Sequence, residues 1–147
     1  MRTGGTGDTV TATVDEQALI AALRAAVPGL RALYLFGSAA AGELRDDSDV
    51  DIAVLADPPL EVRRCLELAA ELGVVLQRDI DLVDLRTAST VLRAQVMGTG
   101  RRLFCAEGHE EHVDAFETFV YSDYARLNEE RAGILQDVLA RGRVHGR

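Results

Sequence analysis

The sequence predicts an α/β (α+β) domain: a small mixed β-sheet flanked by helices, with a long C-terminal helical segment. Two observations carry the α/β outline. Short apolar runs of strand length alternate with stretches whose apolar residues recur at helical spacing. Pro-Gly, Pro-Pro and Gly-containing breaks separate them, at Pro28-Gly29, Pro58-Pro59 and Gly98 to Gly100. A third observation carries the helical segment. Phe116, Val120, Tyr124, Leu127, Ile134 and Val138 follow one another at steps of three, four or seven, as one side of a helix requires.

The elements follow in order. Residues 1–12 are rich in Gly and Thr and read as a flexible tail, with residues 13–147 as one domain. Thr13 and Glu16 have capping-box spacing ahead of Leu19, Ile20, Leu23 and Ala26, a first helix stopped by Pro28-Gly29. Strands are expected over 32–36 and 50–55. Asp57 with Pro58-Pro59 turns the chain into a helix carrying Leu66, Ala69 and Leu72, with Gly73 near its end. A third strand covers 80–85. Ser89 caps a short helix with Val91, Leu92, Gln95 and Val96, and an edge strand covers 103–106. Beyond it runs the helical segment 109–141, as one helix or as two with a break.

Composition narrows the function classes. A chain of 147 residues, 48% hydrophobic and 27% charged, buries a real core and is not a disordered tail. No apolar run approaches the roughly 20 residues of a bilayer span, and the N-terminus lacks a signal-peptide apolar region. A cytoplasmic protein is expected. The net charge of −8 argues against direct nucleic-acid binding and leaves room for a protein partner with a basic face. Cys65 and Cys105 sit in apolar stretches and read as buried, reduced thiols.

The chemistry concentrates in "LFGSAAAGELRDDSDVDIAVL", residues 35–55. Alternation in a strand puts Asp49 and Asp51 on one face, on the order of 6–7 Å apart. Like charges so close need an offset, from solvent or from a divalent cation, and carboxylate oxygens are ligands that Mg2+ prefers. Gly37-Ser38 ends the preceding strand, and Ala39 to Ala41 is helix-forming sequence. Ser38 at the start of a short helix would present free N–H groups and a hydroxyl to an anion. "RDIDLVDL" adds carboxylates on the next strand. Asp79 and Asp81 share a face and Asp84 takes the other. Asp81, inside the apolar run, is the candidate third ligand and proton acceptor. Asp79 reads as a solvated strand-entry residue and Asp84 as a cap of the following turn. A phosphate cradle facing carboxylates across a loop has the parts of metal-assisted phosphoryl or nucleotidyl transfer.

Gly37-Ser38, ten intervening residues, the Asp49-Val50-Asp51 triplet and a later strand aspartate resemble the signature of the DNA polymerase β-like nucleotidyltransferase superfamily. The resemblance covers roughly residues 33–104. The short chain and its later helix resemble the minimal nucleotidyltransferase antitoxins of HEPN/MNT toxin–antitoxin systems. The resemblance implies a nucleotidyltransferase fold and an antitoxin that transfers AMP from ATP to a tyrosine hydroxyl of a cognate HEPN-domain ribonuclease toxin. It implies an oligomer with that toxin and two Mg2+ ions held by Asp49, Asp51 and Asp81. Asp81 would favour deprotonation of the tyrosine, and Gly37 and Ser38 would hold the triphosphate. The sequence departs from the family where Ala39, Ala40 and Ala41 stand, since relatives often place arginine just before the next glycine. Arg45 is the candidate replacement. Two other readings stand beside this one: nucleotidyl transfer to a small-molecule hydroxyl, and an antitoxin that blocks its toxin sterically.

Other features have plainer readings. His109 and His112 are three apart, not the four of a metalloprotease helix, and read as a surface helix start. Arg101-Arg102 read as a solvated strand end. Tyr121 and Tyr124 read as helix packing.

Overall fold

The computed structural model describes residues 14–43, 45 and 48–144. The elements are α1 (Glu16–Ala26), β1 (Leu30–Phe36), β2 (Val50–Ala56), α2 (Val62–Leu76), β3 (Ile80–Asp84), α3 (Thr90–Thr99), β4 (Arg101–Cys105) and α4 (Glu110–Val144). Thr13 of the expected capping box lies outside the described residues, as does the tail at 1–12. The N-cap of α1 is Asp15, whose Oδ1 accepts the Ala18 N–H at 3.1 Å. Ser89 caps α3 as expected, accepting from Leu92 N–H at 3.1 Å. The helical segment is one continuous helix of 35 residues.

The sheet order is β3-β2-β1-β4. β1 pairs antiparallel with β2 and with β4, whereas β2 and β3 are parallel, joined through α2. β1 and β2 are therefore central. Their residues are buried on both faces, apart from Arg31 and Asp51. Alternation divides them between two cores. Leu33, Leu35, Val50, Ile52, Val54 and Leu82 pack with Leu19 and Leu23 of α1 and Leu68 and Leu72 of α2. Ala32, Tyr34, Phe36, Ala53 and Leu55 pack with Val96 of α3 and Val113 of α4. Each fully buried Leu, Ile or Val contributes about 1.5–3 kcal/mol, so neither face tolerates a register slip. Cys65 is buried as expected, but Cys105 on edge strand β4 is only half-buried; both are free thiols.

Polar contacts seat α4. Tyr34 on β1 donates to Glu117 Oε2 at 2.6 Å, and the same oxygen accepts from Arg102 at 3.0 Å. Thr90 donates to Asp123, and Tyr121 donates to the Met97 carbonyl. Burial and the Glu117 carboxylate hold the Tyr34 phenol well above the ordinary tyrosine range. Past Leu127 the helix outruns the body. Ile134 and Val138, on the apolar side read from the sequence, are 64% and 55% exposed.

At the C-terminal ends of β2 and β3, Asp84 is 2% exposed. Its Oδ2 accepts from Leu60 N–H at 2.9 Å and its Oδ1 from Arg86 N–H at 2.8 Å. It thus caps the following turn, as read, and also ties down the loop into α2. Burial raises the Asp84 carboxyl above its usual range, with the two backbone donors and Arg86 opposing. Asp84→Ala leaves two backbone donors without their acceptor. We expect it to cost about 1–3 kcal/mol in urea unfolding, whereas exposed Asp81→Asn stays within about 0.5 kcal/mol of wild type.

Candidate active site

The sheet register assembles the site. Asp51 is the second residue of β2 and stands opposite Phe36 of β1 on one side and Asp81 of β3 on the other. Directly paired residues on neighbouring strands share a face, so Asp51 and Asp81 lie on the α3/α4 face, in phase with Ala53 and Leu55. Asp49 lies just before the strand and is exposed. Asp79 is exposed at the entry to β3, as read, and its carbonyl accepts the Val50 N–H at 2.8 Å. Asp81 was expected inside an apolar run. It is instead exposed, because its face of edge strand β3 is open at that point. Solvent reaches it, so burial is not what singles it out. Its place opposite Asp51 is.

Gly37 follows Phe36 with φ +69°, a conformation that favours glycine. A Cβ there would lie 2.2 Å from Asp51 Oδ2. Only glycine lets the turn approach the carboxylate. The short helix expected after Ser38 is replaced by consecutive turns. Ala41 N–H donates to Gly37 O, Gly42 N–H to Ala39 O and Glu43 N–H to Ser38 O. Among the described residues, the N–H groups of Ser38, Ala39 and Ala40 have no acceptor. They remain available to an anion, the property the helix was expected to supply.

Burial raises the Asp51 carboxyl above its ordinary value, and the charges of Asp81 and then Asp49 raise it further. No basic side chain among the described residues pairs with any of the three. A bound cation would offset that repulsion, and three hard oxygen donors suit Mg2+. The described carboxylates do not close into a ready-made cage of three or more metal ligands. An open donor set of this kind fits an ion that shares its coordination with water and substrate phosphates.

Other candidates fall elsewhere. Arg45 is exposed, and its guanidinium has no described partner. Arg101 and Arg102 are exposed at the strand end, as expected, but both are ion-paired, Arg101 with Glu16 at 2.6 Å and Arg102 with Asp114 and Glu117. His112 Nε2 lies 3.1 Å from an Arg86 nitrogen and accepts from it, since a guanidinium only donates. An open groove of about 740 Å3 borders α2 and the start of β3 and is lined in part by Asp49, Arg78 and Asp79. It misses Asp51 and Asp81, because α2 covers the opposite face of the sheet. Arg78, not among the residues expected at the site, donates its guanidinium to the carbonyls of Arg45 and Ser48. The available signal was a cation next to an Asp-x-Asp strand.

Comparison with known proteins agrees with this geometry. Residues 18–109 match the model of the polymerase β nucleotidyltransferase family. The chain is 42% identical over 127 residues to protein adenylyltransferase MntA of Shewanella oneidensis, covering 86% of this chain and 89% of that protein. A crystal structure of a toxin–antitoxin with AMP-PNP superposes with a TM-score of 0.76 at 40% identity, covering 86% of this chain and 99% of that one. A chain from the complex of tri-AMPylated Shewanella oneidensis HEPN toxin with MNT antitoxin superposes at 0.69, again 40% identical, covering 84% and 95%. The turn at Gly37-Ser38, the paired aspartates behind it and this likeness agree: the chain belongs to the polymerase β nucleotidyltransferase family.

Proposed function

We propose that this chain is an antitoxin that transfers AMP from ATP to a tyrosine hydroxyl of a cognate HEPN toxin, with Mg2+ as cofactor. One observation carries the chemistry: Asp51 and Asp81 meet across paired strands, against a glycine turn that presents free N–H groups. The protein acceptor is supported by the likeness to a named protein adenylyltransferase and to complexes with a HEPN toxin.

Gly37 and Ser38 would hold the triphosphate through the open amides of the turn, with the exposed Arg45 as the candidate cation. Asp49, Asp51 and Asp81 would hold Mg2+. When bound, two such ions stabilise charge on the attacking and leaving oxygens. The tyrosine oxygen forms a bond to the α-phosphorus as the bond to the α,β-bridging oxygen breaks, and pyrophosphate leaves. Asp81, open to solvent on its strand, takes the hydroxyl proton. The open amides of Ser38 to Ala40 would offset the growing negative charge on the departing pyrophosphate.

The purified chain with Mg2+ and ATP is expected to add AMP to tyrosine of a co-encoded HEPN partner, read as mass increments on one peptide. Asp49→Ala, Asp51→Ala and Asp81→Asn should each lower the rate by about 10³-fold or more. A partner that is inhibited yet unmodified would establish steric blocking instead. Asp84→Asn should keep far more transfer activity than Asp81→Asn.

The raised Asp51 carboxyl gives a separate test. Its ionised form is disfavoured in the fold, so the folded state binds more protons than the unfolded state between the ordinary carboxylate value and the raised one. Stability without metal is therefore lost as pH rises through that window. Asp51→Asn removes the penalty and should raise Tm by about 2–4 °C in metal-free buffer at pH 7. The gain should vanish in acid, where wild-type Asp51 is already neutral. An unchanged or lower Tm at pH 7 would show that Asp51 is not under electrostatic strain.

A further inference from the structure

We propose that Arg78 is a positioning residue for the transfer reaction, holding Asp49 in place through the backbone on either side of it. This rests on the adenylyl-transfer reading above. Arg78 stands just before β3, where its own N–H closes the end of α2 on the Gly73 carbonyl at 3.2 Å. Its side chain crosses to the loop that precedes β2. One terminal nitrogen donates to the carbonyls of both Arg45 and Ser48, the second at 2.9 Å. Those two residues already close a turn: Arg45 N–H donates to Ser48 Oγ and Ser48 N–H to the Arg45 carbonyl, each at 3.1 Å.

The next residue is Asp49. The peptide after it is fixed from the same source, since Val50 N–H donates to the carbonyl of Asp79 at 2.8 Å. The Arg78-Asp79 dipeptide thus grips the chain on both sides of Asp49. Asp49 is exposed and lies outside β2 proper, so strand pairing alone does not set its position. Asp51, by contrast, is held by ladders on both sides.

The guanidinium is committed to carbonyls and forms no ion pair among the described residues, which leaves the Asp49 carboxylate to its ligand. The side chain is kept there against a cost: Arg78 Nε is buried with no hydrogen-bond partner among the described residues. An incidental surface contact would not retain a buried, unsatisfied donor. Arginine suits the task because one terminal nitrogen carries two N–H donors in the fixed guanidinium plane, whereas a lysine ammonium is a point charge on a flexible stem.

The experiment uses the full chain as wild type, Arg78→Met and Arg78→Lys. Three quantities are read: amide hydrogen exchange over residues 45–50, Mg2+-dependent binding of a non-hydrolysable ATP analogue, and AMP transfer to the HEPN partner. Arg78→Met should raise the half-saturating Mg2+ concentration by about 10–100-fold, the usual effect of removing support behind a metal ligand. Exchange at Ser48 and Val50 should accelerate, and transfer per folded molecule should fall. Arg78→Lys should lie between the two. An unchanged Mg2+ requirement with unchanged exchange overturns the proposal. So does an activity loss that only follows the folded fraction. If wild type modifies no partner, the adenylyl-transfer reading fails, while exchange and Mg2+-dependent nucleotide binding still decide the role of Arg78.

Discussion

Two carboxylates that repel each other, Asp51 and Asp81, are held on one face of the sheet by the parallel pairing of β2 with β3. The rest of the structure makes that pairing hard to escape. Ile52 through Ala56 are all buried, alternating between a core under α1 and α2 and a core under α3 and α4. Shifting β2 by one residue would exchange those two sets, put each against the wrong core and turn Asp51 to the other face. The apolar length of the strand therefore holds its charged beginning in register. Strain of this kind at one site is offset by packing elsewhere in the fold.

The same strand pair separates two roles for aspartate. Asp81 and Asp84 are three residues apart, so they fall on opposite faces. Asp84 meets backbone donors from two loops in a buried pocket and acts as a structural tie. Asp81 meets solvent and another carboxylate. Chemical type does not distinguish them; the available partners do. A neutral or hydrogen-bonded carboxylate can be buried, whereas a pair of like charges needs solvent or a counter-charge.

α4 shows a second kind of division. Its first half is seated by Val113, Val120 and a polar network around Tyr34, Glu117 and Arg102. Residues 128–140 are exposed throughout. At 1.5 Å per residue the helix is about 52 Å long, longer than the face it covers. Periodicity in the sequence marks the apolar side of such a helix but not where its support ends.

Much of this was present in the sequence. The order of helices and strands, the caps at Ser89 and the punctuation at Pro28 and Pro58 are local effects of backbone and side-chain chemistry, so they read directly from neighbouring residues. The Gly37-Ser38 and Asp49-Val50-Asp51 spacing indicated the chemistry for the same reason: a turn and a strand start are built within 15 residues. The sequence points to Asp81 because it lies inside an apolar run, whereas its place opposite Asp51 comes from the pairing of β2 with β3. Tertiary structure decided the rest. The Ala39–Ala41 run favours a helix locally, but the turn at Gly37 packs against Asp51 and sends the chain through successive turns instead. Arg101 and Arg102 look free in the sequence and are paired with residues distant in the chain. Arg78 shows in the sequence only as a cation beside the β3 aspartates, because its acceptors are carbonyls of a loop some 30 residues earlier. Contacts between distant segments depend on which faces the cores bury, and that is settled only when the sheet closes.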